Sequence, residues 1–142
     1  MGKLTKILIV SVLVLAAAGA GAFFFLGKNA EGSEEKEKQP SAEELAAMSI
    51  DTDVITTNLA SPNFGIVQFN ILLDSEKTKE EAEKRTPEVR AAIISTVAGF
   101  TKDELVGQEG ITALEEELKA KLADIMQTGK VERVLVTEFK VQ

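Results

Sequence analysis

The 142-residue sequence contains no histidine, cysteine, tryptophan or tyrosine, and only three prolines. Without histidine and cysteine there is no imidazole general base, no thiolate nucleophile, no zinc site of the usual kinds and no serine-histidine triad. The missing cysteine also excludes a lipoprotein thioether anchor, and it suits an extracytoplasmic location without requiring one. Loss of tryptophan and tyrosine removes the commonest aromatic anchors for interfaces. Carboxylate, lysine, arginine and hydroxyl are what remain for chemistry. Positive charge is scarce as well: all 23 acids but only 13 of the 16 Lys and Arg lie from Glu31 onward, leaving that part at −10. Such a surface repels phosphate backbones, so nucleic acid is excluded as a partner class.

What is present begins with an apolar run, Ile7 to Leu26, without one charge. A helix of about 20 residues at ~1.5 Å per residue matches a bilayer's hydrocarbon core. The run therefore reads as a single membrane span preceded by a cytoplasmic tail over residues 1–6. The competing reading is a cleaved secretory signal, since Ala18-Gly19-Ala20 and Ala20-Gly21-Ala22 look like cleavage sites. Against it, the run continues through Phe23, Phe24, Phe25 and Leu26. Positive residues tie on the two sides, Lys3, Lys6 and the terminal amine against Lys28, Lys36 and Lys38. A tiny basic tail followed by everything able to fold favours an outward-facing C-terminal domain. Within the span, Ala17, Ala18, Gly21 and Ala22 form a small-residue face on which helices in lipid can pack.

Residues 27–47 read as an acidic linker. GKNAEGSEEKEKQP from Gly27 has too little apolar surface to order itself and serves as a tether, and Ser41-Ala42-Glu43-Glu44 fits a capping box opening a short helix to about Met48, with Leu45 and Met48 on its buried side. Residues 48–142 form one small α+β domain of about three strands against two or three helices. The first strand spans Ile50 to Leu59, with ragged alternation: Ile50 and Val54 fall on one parity, Ile55 and Leu59 on the other. Ala60-Ser61-Pro62-Asn63 makes a hairpin turn into a second, more central strand from Phe64 to Leu73, whose Gly65, Val67, Phe69, Ile71 and Leu73 share a face. Ser75 to Arg85 is helix-prone, with its charges as a solvated surface. Thr86 offers an N-cap and Pro87 a first-turn residue for a helix with Val89, Ile93, Val97 and Phe100 inward. Thr101 to Glu104 is a second capping box. Gly110 opens the last helix, with Ile111, Leu114, Leu118, Leu122 and Ile125 inward, and Gly129 suits a left-handed position closing it. Val131 to Val141 is the third strand, with Leu135, Thr137, Phe139 and Val141 alternating against Val134, Val136, Glu138 and Lys140, so that its beginning is buried on both faces. The chain stops at Gln142, with no tail to carry a signal.

The ordered features, namely the basic tail and span, the acidic linker, Asn58-Leu59, Pro87-Glu88-Val89-Arg90, Thr101 to Leu105, Gly110 with Leu114, Gly129 and the final VLVTEFKVQ ending at Phe139 to Gln142, resemble the flagellar basal-body-associated protein FliL family. Leu135 and Val136 stand where that family commonly has aromatics, and Lys140 where an apolar residue is usual. The resemblance implies a stomatin/prohibitin-like domain outside the bacterial cytoplasmic membrane at the flagellar basal body. It also implies homo-oligomeric rings around the ion-driven stator units that support torque.

Three acidic groupings, Glu34-Glu35, Glu80-Glu81 and Glu115-Glu116-Glu117, are the candidates for acid/base or metal chemistry. Consecutive acids on a helix diverge by about 100°, so hydrated surface is the better reading. No catalytic, cofactor or metal residue is assigned. Arg90, beside the buried stripe, is placed to pair with Glu83 or a neighbouring subunit. Asn58 bonds nearby backbone. The leading expectation is a non-enzymatic membrane scaffold. The rivals are a membrane-tethered carboxylate hydrolase acting on the cell envelope, which needs two acids in one pocket, and a secreted binding protein released by signal cleavage.

Overall fold

A computed structural model describes residues 38–142. The expected span from Ile7 to Leu26, its face at Ala17, Ala18, Gly21 and Ala22, the Glu34-Glu35 pair and the tether to residue 37 lie outside the described residues. Among the described residues no helix is long and apolar enough to cross a membrane. The elements are α1 (Ala42–Ala47), β1 (Ser49–Asp51), β2 (Ile55–Asn58), β3 (Phe64–Leu73), α2 (Glu76–Lys84), α3 (Thr86–Ala98), α4 (Gly107–Ile125) and β4 (Val131–Val141).

The alternating residues of β3 make it the centre of the sheet. Val67, Phe69, Ile71 and Leu73 are all at most 2% exposed, and each points to the helical side because successive side chains of a strand face opposite ways. β4 pairs antiparallel along the whole of β3. β1 and then β2 pair antiparallel with the other edge. The sheet is thus four-stranded rather than three-stranded, because the expected first strand is two pieces. Ile50 opposes Ile71 and Ile55 opposes Val67, so five steps on the edge match four on β3. One extra residue is a bulge, and it flips parity. The ragged alternation of Ile50, Val54, Ile55 and Leu59 was that bulge written in sequence. Thr52 builds it: its N–H donates to the Phe69 carbonyl (2.9 Å), and its hydroxyl oxygen, in place of a backbone carbonyl, accepts the Phe69 N–H (3.0 Å).

β4 departs from the expected alternation for the same reason. Its register shifts between Gln68 and Phe69 and between Leu72 and Leu73, leaving Thr137 and Glu132 without partners on β3. The two bulges re-phase the strand, so Val131, Val134, Val136, Phe139 and Val141 oppose the core residues Leu73, Ile71, Phe69, Val67 and Gly65. Leu135 is turned outward at 37% exposure, so the beginning of β4 is buried on one face, not both. All pairings are antiparallel, so no crossover-handedness rule applies.

The helical stripes close the core. Val89, Ile93 and Val97 of α3, and Leu114, Leu118 and Leu122 of α4, are buried in one cluster with the inner sheet face. α3 packs on β2 and α4, while α4 packs on β4. The other sheet face presents Phe64, 55% exposed, with half-buried Ile66, Gln68 and Asn70.

Both expected capping boxes form. Ser41 and Glu44 exchange the two bonds of a capping box, although Leu45 and Met48 are only half-buried. Thr101 and Glu104 do the same (2.7 and 3.3 Å). Three expectations fail. Thr86 does not cap α3; its hydroxyl donates back to the Glu83 carbonyl (2.6 Å), and Arg85 occupies the cap position. α4 starts at Gly107, three residues before Gly110, with Gly107 in the left-handed region at φ 72°. Gly129 is not left-handed. A Cβ there would strike the Thr78 hydroxyl and the Asp74 carboxylate, so it is packing that selects glycine.

Candidate functional site

The acidic groups of α2 are not all hydrated surface. Glu80 is exposed, but Glu81 reaches across to the segment between α4 and β4. Its carboxylate accepts the Thr128 hydroxyl (2.6 Å), the Thr128 N–H (2.8 Å), the Gln127 N–H (3.0 Å) and the Arg85 Nε–H (2.8 Å). Arg85 also meets Glu88 at 2.9 Å. The Thr128 hydroxyl and N–H, then Arg85 and Gln127, stabilise the charged form and hold the Glu81 carboxyl at about 2, down from 4.5. One turn earlier, the Thr78 hydroxyl donates to Asp74 (2.7 Å) and, with other local donors, lowers its pKa too. Glu81, with both carboxylate oxygens taken by donors, fastens the segment between α4 and β4 to α2. The Glu81, Arg85 and Glu88 spacings of four and three were legible on a helix face, whereas the bond to Thr128 was not.

This clasp has a testable pH signature. A carboxylate with a depressed folded pKa contributes stability above its unfolded value and loses it as pH falls through the folded one. We expect Glu81→Gln to lower the thermal midpoint at neutral pH, and the gap from wild type to close between pH 4.5 and about 2. Midpoints recorded over that range check it; a constant gap would refute the clasp.

The second carboxylate that sequence reasoning set on the surface is Glu115. It accepts the backbone N–H of Val136 (2.8 Å) beside the β4 bulge. Glu116 is exposed and Glu117 pairs with Lys121 (3.4 Å). The three acids therefore diverge, as a helix requires. Among the described residues no group of three or more acids, histidines or cysteines could hold a metal ion.

A groove of about 410 Å³ lies between the β1–β2 edge and α2–α3. Ile50 and Val89 supply apolar lining, Asp53 stands on the strand side, and Lys79, Glu83 and Arg90 on the helical side. Arg90 is exposed and has no ion pair among the described residues. The expected pairing with Glu83 is not made, because Glu83 faces Lys79 at 4.0 Å one turn along the same helix.

The other motif positions have structural places. Asn58 is exposed at the end of β2, opposite Phe64. Leu59 is 6% exposed, and its side chain would lie 3.2 Å from a Cβ at Gly65. Pro87 stands in the first turn of α3. Gly110 lets α4 rest against the backbone of Glu104 and Leu105. Phe139 is half-buried opposite Val67, and Gln142 exchanges two backbone bonds with Phe64 (2.9 and 3.0 Å). The structure disperses these positions over both ends of the domain rather than gathering them in one site.

Comparison with known proteins supplies what the geometry alone does not. Residues 49–142 match the family described as flagellar basal body-associated protein FliL. The chain is 41% identical over 120 residues to a flagellar protein FliL of Bacillus subtilis (strain 168), covering 84% of each chain. It is 31% identical over 88 residues to a flagellar protein FliL of Aquifex aeolicus (strain VF5), covering 60% of this chain and 55% of that one.

Proposed function

The chain belongs to the flagellar basal body-associated protein FliL family, and from that membership we propose that it is a non-enzymatic, single-pass membrane scaffold that assembles into rings and supports the flagellar stator units during torque generation. The observation that carries this reading is the extent of the family match. It runs over the whole sheet and over α2, α3 and α4, from Ser49 to Gln142. Ahead of that domain, the sequence carries the uncharged run Ile7 to Leu26 that a bilayer helix requires. In this reading residues 1–6 are cytoplasmic, 7–26 cross the cytoplasmic membrane, 27–47 tether, and 48–142 stand outside the cytoplasm as a stomatin/prohibitin-like domain. The face Ala17, Ala18, Gly21 and Ala22 packs spans of neighbouring copies together. The hydrolase alternative draws no support from the carboxylates, since Glu81 and Glu115 are both spent on backbone N–H groups.

A fluorescent fusion of the full chain tests the proposal. We expect foci at flagellar bases that weaken when the stator is deleted, and a chain that stays with membranes through carbonate and high-salt washing. Release into the wash, with an N-terminus trimmed just before the triple phenylalanine, would establish the secreted alternative instead. In detergent the chain should form discrete oligomers, and a monomeric profile at every concentration would remove the ring.

A further inference from the structure

The two long edges of the sheet are treated differently. On the β4 side, bulges at Glu132 and Thr137 interrupt the edge, and the Glu115 carboxylate occupies the Val136 N–H. These are the devices by which proteins blunt an edge against strand pairing. On the β1–β2 side the phase of the ladder identifies the free groups. Phe64 exchanges its N–H and C=O with Gln142 on the β4 side, and backbone groups alternate along a strand. Gly65 and Val67 therefore face β2, where they meet Thr57 and Ile55. The N–H and C=O of Thr56 and Asn58 consequently point away from the sheet. Beyond the bonds to β3 and within the bulge itself, no group among the described residues hydrogen-bonds to the backbone of Thr56 or Asn58. Val54, an apolar residue on the same edge, is 49% exposed.

The groove borders the first part of this edge, from Ser49 to Ile55, and its charges are unevenly spent. Glu83 faces Lys79, and Asp51 accepts the Asn70 amide (2.8 Å). Arg90 on the helical wall and Asp53 on the strand wall keep no ionic partner among the described residues. A guanidinium in a groove that reaches Ile55, with the unpaired donors and acceptors of Thr56 and Asn58 continuing the same strand, fits one kind of occupant. We infer that the β1–β2 edge is the docking site for an extended segment of a partner protein, which adds as a strand along Thr56 and Asn58, turns a carboxylate to Arg90 and sets a basic side chain near Asp53. The inference rests on the proposed stator-supporting role, which makes the extracytoplasmic part of the stator the partner to test.

The experiment uses the full-length chain in detergent and the purified stator complex. A benzophenone amino acid replaces Thr56 on the edge or, as a control, Lys119 on the exposed side of α4. We expect crosslinks to the stator from position 56 and none from 119. Thr56→Pro deletes an outward N–H without cutting a bond to β3, and Arg90→Glu reverses the charge. Each should weaken stator binding by about tenfold or more, with thermal midpoint and oligomer size unchanged. If Thr56→Pro does not fold, Arg90→Glu and the crosslinks decide alone. Undiminished stator binding by Arg90→Glu, with no crosslink from 56, overturns the inference and leaves the stator role standing. Crosslinks from 56 only to a second copy of this chain overturn it as well, assigning the edge to self-assembly. Failure of the wild-type chain to bind the stator at all refutes the proposed role and the inference together.

Discussion

Gly110→Ala is expected to destabilise the domain by about 3 kcal/mol, although alanine is the better helix former by about 1 kcal/mol. A Cβ at this position would overlap the Glu104 carbonyl oxygen and sit 2.7 Å from the Leu105 Cα and 2.8 Å from its carbonyl carbon. All three atoms are backbone, so no side chain can swing aside. The turn cannot yield cheaply either, because Thr101 and Glu104 lock it with reciprocal bonds, and Leu105, 3% exposed, anchors it in the core. α4 must lift away and take part of the Leu114 packing with it. Gly107→Ala is the contrast: its φ of 72° is strained for alanine, but nothing lies within 4 Å of the added carbon, so the loss is about 1 kcal/mol. Urea unfolding of the two variants measures both values. A Gly110→Ala midpoint equal to wild type would show that the helix does not rest on that turn.

Phe69→Ala should cost about 3–5 kcal/mol, the lost transfer energy plus the cavity left behind. Phe69 is 0% exposed at the middle of the central strand, opposite Val136 and within the cluster that α3 and α4 close. Domains of this size hold only about 5–15 kcal/mol in total, so the variant loses about a fifth or more of its stability. Phe64→Ala, five residues earlier on the opposite face at 55% exposure, should stay within about 0.5 kcal/mol. Equal destabilisation by the two would mean that the face assignment of β3 is wrong.

These two predictions differ in how far they could be read ahead. The inward set Val67, Phe69, Ile71 and Leu73 was evident from period two alone, and Phe69 as a core residue with it. Val89, Ile93 and Val97 and the leucines of α4 followed from helical spacing in the same way. Gly110 looked like a helix start, and only the approach of the turn at Glu104 and Leu105 explains it. Gly129 looked like a left-handed cap and proved to be room for Thr78 and Asp74. Of the groove, Arg90 was noticed, but not that Glu83 would turn to Lys79 and leave it free. The family-specific positions identified the chain without marking a common site, since they hold packing and strand ends in several places.

The sequence by itself determined the run of strands and helices from β3 onward, the inner faces of β3, α3 and α4, two of the caps, the hairpin turn and the want of side chains for most catalysis. Each of these depends on residues within a few positions of one another, or on composition. Tertiary structure decided the phase of the edge strands, because a bulge is defined by what lies across the ladder and not by the strand that carries it. It also decided which carboxylates are surface and which are fasteners. Glu81 meets Thr128 across 47 positions of chain, a separation at which no local periodicity carries information and only the folded packing brings the donors to the acid.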